Sequence, residues 1–326
     1  MGSAPCYIGI EIGGTKLQVV AGRPDRIVAR KQFVVDAGAG GAGIRAQISS
    51  VVPDLILQHD PVAVGVGFGG PVDWTTGHIR CSHQIEGWAD FPLDEWLAAE
   101  TGLPVRVEND ASVAALGESL HGAGIGSNPV FYITLGSGVG GGLVVDGDIY
   151  HGAIPGQAEV GHLRLDQEGT TLESVCSGWA VDRKIRDART VMPESVLFTL
   201  IGSEKRGETR HLAAALAVDD ALARRILLET AQNLAFALSH VVHLLHPEII
   251  VLGGGLSLIG EPLRAAVADA LPEFLVKAFR PGSRIALSSL KEDAVPVGSL
   301  LLASSLYAKY RGPLPPRTKA STVKTS

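Results

Sequence analysis

The stretch VFYITLGSGVGGGLVVDG, residues 130–147, sets Gly136, Gly138 and Gly141 at the spacing G-x-G-x-x-G. Two local structures compete for that spacing. A dinucleotide-binding unit runs strand, glycine turn, helix, because the pyrophosphate rests on the helix N-terminus. Here the glycines lead into GLVVDGDIY, a β-type run, and no helix opens. Nor does an acidic residue end a second strand about 20 residues on. The alternative is a β-hairpin whose glycine turn lets backbone N–H groups wrap phosphate oxygens. The residues favour the hairpin.

Moving outward, YIGIEIGGTKLQVVAG (7–22) has the same strand–glycine–strand form, and each copy opens one half of the chain. The pattern predicts two related α/β domains that face each other, with one hairpin from each clamping a triphosphate. Helical spacing covers 44–59, 93–102, 111–122, 174–188, 220–246 and 297–310, with Asn109 or Asp110 as the N-cap of the third. Apolar runs at 62–68 and 249–252 read as buried strands. The glycine-rich DAGAGGAG (36–43) reads as a loop. The Pro-rich, basic tail 311–326 has no apolar periodicity and is expected to be disordered.

Of the 326 residues, 46% are hydrophobic and 19% charged, which is enough apolar material for roughly two domains. The net charge of -6, with no basic block outside the tail, argues against nucleic acid as a partner. Cys6, Cys81 and Cys176 are odd in number and widely spaced, which suits a reducing compartment. No apolar run has the length of a membrane span, and the first residues lack a signal-peptide pattern. A cytoplasmic protein without a membrane partner is expected. His240, His243 and His246 share a helix face without a Glu or Cys beside them, so a structural or surface role is expected.

EIGGTK, GGPVD, VENDASVAALGE, TLGSGVGGGLVVDG, AEVGH and PEIIVLGGG follow one another along residues 11–255. This series resembles the ROK family of sugar kinases and sugar-responsive repressors, within the actin-like, sugar-kinase and Hsp70 ATPase superfamily. The resemblance spans about residues 7–308. It implies an α/β fold of two actin-like (RNase H-like) domains with an interdomain cleft. The smaller would be 1–117 plus 297–310 and the larger 118–296.

The resemblance also implies a site. Gly13, Gly14, Thr15 and Lys16 would form the first phosphate hairpin, with Glu11 where relatives carry an Asp that reaches Mg2+ through water. Thr134, Gly136, Ser137 and Gly138 would form the second. Gly253, Gly254 and Gly255 would make room for the adenosine. Asp110 would be the catalytic base, and Gly70, Asn109, Asp110, Glu159, His162 and Glu173 would hold the sugar. The chemistry explains these types. Transfer to a hydroxyl needs an acceptor for its proton, and carboxylates take two hydroxyl donors each. Taken alone, GGTK is equally a plain turn, and Asp110 an ordinary helix cap.

ATP and Mg2+ are the implied cofactors. Relatives hold a zinc knuckle between the GH and LE segments, but HLRLDQEGTTLE (162–173) contains no Cys. No structural zinc is therefore expected, since such a site needs about four ligands. Packing by Leu163, Leu165 and Leu172 would brace the segment instead. Gln84, in SHQIEGW, stands where relatives have Asn, which leaves the identity of the sugar open. The expected function is ATP-dependent phosphorylation of a hexose, glucokinase-like, at the 6-hydroxyl, by a chain that could form a homodimer. The alternatives are a catalytically weak sugar sensor and a repressor. The latter needs a helix-turn-helix ahead of the first hairpin, and the strand at Tyr7 leaves no room for one.

Overall fold

The computed structural model describes residues 4–82, 85–154 and 158–309. Gln84 and the tail 311–326 lie outside the described residues. The first half contains β1 (Cys6–Ile12), β2 (Lys16–Arg23), β3 (Arg26–Val34), α1 (Gly40–His59) and β4 (Pro61–Phe68). A short ribbon follows, of β5 (Val72–Asp73), β6 (His78–Ile79) and β7 (Phe91–Pro92), and then α2 (Leu93–Thr101), β8 (Val105–Asn109) and α3 (Asp110–His121). The second half contains β9 (Val130–Leu135), β10 (Val139–Val145), β11 (Asp148–Ile149), α4 (Leu172–Cys176), α5 (Gly178–Ala188), α6 (Val196–Ile201) and α7 (Leu212–Leu216). It ends with α8 (Ala221–Leu245), β12 (Ile249–Gly253), α9 (Glu261–Ala270), β13 (Arg284–Leu287) and α10 (Ala294–Lys309).

Two five-stranded sheets result, in the orders β3-β2-β1-β4-β8 and β11-β10-β9-β12-β13. Each opens with an antiparallel hairpin, β1–β2 or β9–β10. Each then adds two parallel strands, β4 and β8 or β12 and β13. The two halves therefore repeat one α/β plan, as the two hairpins predict, and it is the RNase H-like plan that the resemblance implies.

Strand parity explains where the helices lie. Successive side chains of a strand point to opposite faces. Ile8, Ile10 and Ile12 of β1, with Val64, Val66 and Phe68 of β4, face α1 and α2 in one core. The opposite face carries Gly9, Gly65 and Gly67, and α10 lies on it so closely that a Cβ on Gly65 would sit 2.0 Å from the Ser299 carbonyl oxygen. Glu11 has the parity of Gly9 and Glu108 that of Gly65's pairing partner Arg106, so both carboxylates are turned to the space between the sheets. The second sheet repeats the device. Gly140 and Gly142 of β10 face Ala111, Ser112 and Ala115 of α3.

α3 is thus enclosed on all sides, and Ala111 through Ser119 are every one buried. It crosses α10 at glycines: a Cβ on Gly298 would meet the Val113 carbonyl oxygen at 1.9 Å. Backbone cannot yield as a flexible side chain can. Gly298→Ala is expected to lower stability by about 1–3 kcal/mol, the range for overpacking, despite its better helix propensity. Denaturant unfolding reads this directly, and an unchanged midpoint would contradict such close packing.

The sequence reading needs two corrections. Residues 36–43 are not simply a loop: Asp36 accepts from the Gly38 N–H to cap a 3-10 turn, and α1 starts at Gly40. Residues 174–188 are not one helix either. The chain breaks at extended Ser177, which caps α5 by accepting from the Ala180 N–H. Among the described residues no helix is long and apolar enough to cross a membrane.

Candidate active site

The β8–α3 junction delivers the central residues. Asn109, not Asp110, is the N-cap. Its Oδ1 accepts from the N–H groups of Ala111 at 3.0 Å and Ser112 at 3.2 Å, and its Nδ2 donates to the Gly70 carbonyl at 3.2 Å. Asp110 is thereby released from capping and becomes the first helical residue. Its Oδ1 takes the Ala111 N–H at 2.8 Å. Its Oδ2 lies 3.3 Å from where a Gly69 Cβ would stand, and Gly13 crosses the same spot. On the other side Ala111 abuts Gly140 of the second hairpin. Asp110 therefore stands where both sheets and both hairpins meet.

Its electrostatics follow from that position. Asp110 is only half-buried by exposure, yet protein walls it in on most sides, and desolvation lifts its pKa to about 7. The charge of Glu11 adds to the rise, as does that of Glu159, against the pull of the Ala111 N–H. Glu11 is likewise raised by burial, countered by Lys16 and Gln18. Gln18 Nε2 donates to its Oε2 at 2.6 Å, while Lys16 Nζ stands 3.6 Å off. Asp110, Glu11 and Glu159 thus act on one another through their charges, and carboxylates of this kind suit a polyhydroxylated ligand, while Mg2+ needs only one or two of them beside substrate phosphates.

The hairpins have matching three-residue turns, 13–15 and 136–138. The Gly13 N–H donates to the Lys16 carbonyl at 3.0 Å, and the Gly136 N–H to the Gly138 carbonyl at 2.9 Å. Glu173 braces the second turn: its Oε2 accepts from the Val139 N–H at 2.8 Å and occupies the place of a Gly138 Cβ. Gly178, the first residue of α5, donates to the Gly136 carbonyl at 2.7 Å, which accounts for the break at Ser177. Thr134, the penultimate residue of β9, and Ser137 in the turn are both half-buried. Thr15 is exposed at the first turn, with Gly14 half-buried next to it.

The three glycines after β12 differ in role. Gly253 makes room for the Tyr132 hydroxyl, 2.1 Å from its absent Cβ. Gly254 has φ +77° and runs against the Leu135 backbone, so any side chain there is strained and blocked. Gly255 alone of the three opens on space, with nothing within 4 Å. A turn that presents backbone to an open volume is a fit for a nucleotide. Gly70 offers its backbone, and its Cα packs against the Cys81 carbonyl. Glu159 and His162 stand exposed at the two ends of one 3-10 turn, linked by a 3.1 Å bond from the His162 N–H to the Glu159 carbonyl.

The sequence model of the ROK family matches residues 7–305. The chain belongs to the ROK family. It is 32% identical over 309 residues to the glucokinase of Halalkalibacterium halodurans, spanning 90% of this chain and 93% of that one. It is 30% identical to the glucokinase of Thermotoga maritima, spanning 90% and 95%. Its fold matches a ROK family glucokinase from Streptomyces griseus, solved with glucose and AMPPNP, at a TM-score of 0.83 and 31% identity over 92% of this chain and 99% of that one.

Where other members of the family are expected to carry a zinc knuckle, this one has a small hairpin. Arg164 pairs with Thr171, and Leu165 and Leu172 donate to the carbonyls of Thr170 and Leu163. Asp166 Oδ1 closes its tip by accepting from the Gly169 and Thr170 N–H groups. Leu172 is fully buried, and Leu163 and Leu165 pack on the same core. Among the described residues no three His, Cys, Asp or Glu side chains are grouped to hold a metal. His240 and His243 are engaged with Phe236 and Phe279, as ordinary surface packing.

Sequence reasoning passed over three polar residues around this site. Glu118, fully buried at the far end of α3, accepts from the Ala123 N–H at 2.7 Å and the Leu290 N–H at 3.0 Å, which pins the connection into α10. Glu108 and His151 meet between the sheets. A glutamate inside a buried strand or an otherwise apolar helix was the available signal, because such a charge must be partnered.

Proposed function

We propose that the chain is an ATP-dependent kinase that phosphorylates the 6-hydroxyl of a hexose, with glucose the first candidate. One observation carries the catalytic assignment: Asp110, freed from capping by Asn109, sits where the two glycine hairpins converge, with its pKa near the range of working pH. In this proposal the two lobes are 1–117 with 297–310 and 118–296, and no structural zinc is involved.

The mechanism follows from the residues. Gly70, Asn109, Glu159, His162 and Glu173 orient the sugar. Asp110 accepts the hydroxyl proton as the sugar oxygen bonds to the γ-phosphorus and the bond to the β,γ-bridging oxygen breaks, releasing ADP. Neighbouring Asn109 adds hydrogen bonding without a further negative charge beside the triphosphate. The Gly13 and Gly136 N–H groups close their own turns, so the backbone N–H groups of Gly14, Thr15 and Gly138 would be the ones to meet phosphate oxygens and stabilise charge as it shifts to the leaving group. Mg2+, when bound, would neutralise phosphate charge, and Glu11 would be the carboxylate to hold it through water. The packed floor formed by α3 keeps bulk water from the γ-phosphate.

A coupled ADP-release assay across glucose, fructose, mannose, N-acetylglucosamine, N-acetylmannosamine and allose tests the proposal. Sugar-dependent ADP release, highest with glucose, is expected. Binding of a sugar without turnover of any would favour the sensor alternative, which the Glu11 and Gln84 departures motivate.

A further inference from the structure

We propose that His151 is a positioning residue for this site, a clasp that ties the edge of the second sheet to the strand end leading into Asn109 and Asp110; it rests on the sugar-kinase assignment above. His151 follows β11, the edge strand of the second sheet, yet its ring meets groups of the first half. Its Nε2 stands 3.0 Å from both carboxylate oxygens of Glu108. Its ring stacks on Trp74, with centroids 4.1 Å apart and planes 19° from parallel.

Glu108 has no exposed surface, and its charge is met by Arg106, whose Nε and Nη2 donate to Oε1 at 3.2 and 2.8 Å. An ionised carboxylate only accepts, so His151 Nε2 carries the hydrogen of this contact. Trp74 Nε1 is buried without a partner. The indole is therefore held by its faces rather than by its N–H, and the His151 ring supplies one of those faces.

The two residues that His151 grips flank the sugar-facing corner. Glu108 directly precedes Asn109. Trp74 directly follows β5, the short strand reached from Gly70, whose carbonyl accepts from Asn109 Nδ2. One imidazole thus ties the segments that present Asn109 and Gly70 to the second half of the chain. Without it, those segments have fewer contacts to hold their place before sugar arrives. A binding-competent position occupied about a tenth of the time weakens apparent affinity about tenfold. Bound sugar restores the position, so turnover at saturation is spared.

The test is steady-state kinetics of His151→Ala in the full chain. The hexose KM is expected to rise about tenfold, with KM for ATP within about twofold and kcat within about threefold of wild type. His151→Gln keeps a donor for Glu108 but loses the stack, and should fall between the two; it carries the comparison if His151→Ala does not fold. Hexose affinity read by tryptophan fluorescence gives the same tenfold loss without relying on turnover. An unchanged hexose KM and affinity in a folded variant overturns the clasp. So does an equal rise in both KM values with a matching fall in kcat, which marks general loosening. If wild type binds hexose but phosphorylates none, the kinase assignment fails, while the fluorescence comparison still decides the clasp.

Discussion

Asp110→Asn is expected to lower kcat by about 100- to 10,000-fold, the usual contribution of a positioned base, while hexose affinity changes little. Asn keeps the shape and can still accept from the Ala111 N–H, but it cannot take the hydroxyl proton. The same substitution should raise stability at pH 8. The Asp110 pKa is about 7 in the folded chain against 3.8 for the ordinary carboxyl. The folded state therefore keeps a proton that the unfolded state releases between pH 4 and 7. By linkage, stability falls as pH rises through that window and stays lowered above it. Three pH units correspond to about 4 kcal/mol, and the open side of the carboxylate toward the cleft reduces that to the order of 1–4 kcal/mol. Asn carries no charge and escapes the penalty. Melting temperatures at pH 8 and pH 4.5 should show the variant ahead at the first and close to wild type at the second. Retained turnover would remove Asp110 as the base. A variant less stable at pH 8 would mean that its carboxylate is not penalised as described.

Much of the site around Asp110 could be read from the residues alone. Strand–glycine–strand runs at 7–22 and 130–147 set both hairpins, because a short glycine turn between two β-rich runs has few alternatives. Asn109–Asp110 before an apolar helix marked the junction, although which residue caps was open until Asn109 was seen to take two N–H groups. Long-range partners could not be read in this way. The break at Ser177 exists because Gly178 donates to Gly136, forty-two residues earlier, and no local propensity encodes that. β3 was passed over because RIVARKQFV is an edge strand with half-polar residues and no clean alternation. Glu173 reads as a sugar ligand from its motif, yet one oxygen is committed to Val139. The helical turn inside DAGAGGAG depends on Asp36 as a cap, a signal weaker than four glycines arguing for a loop.

The acid limb of kcat/KM should fall tenfold per pH unit below about 7, because kcat/KM reports the base in the free enzyme and protonated Asp110 cannot accept the sugar proton. From pH 7 to pH 5 the loss is about fiftyfold, because about half of Asp110 is already protonated at pH 7. Glu11 supplies the means to check that the limb belongs to Asp110. Burial is the larger cause of the raised pKa and the charge of Glu11 the next. Glu11→Gln removes that like charge and preserves length, so the limb should move to lower pH while Asp110 itself is untouched. Under the proposal that Glu11 holds Mg2+, the maximal rate of the variant should fall as well. Position and height of the profile are independent, and titration of the nucleotide is common to both enzymes. A limb that stays in place in Glu11→Gln would assign it to another group, or would mean that Lys16 already screens Glu11 from Asp110. Measuring Lys16→Met decides between these: without the ammonium, the charge of Glu11 is felt more strongly, and the limb should move to higher pH if Lys16 is the screen.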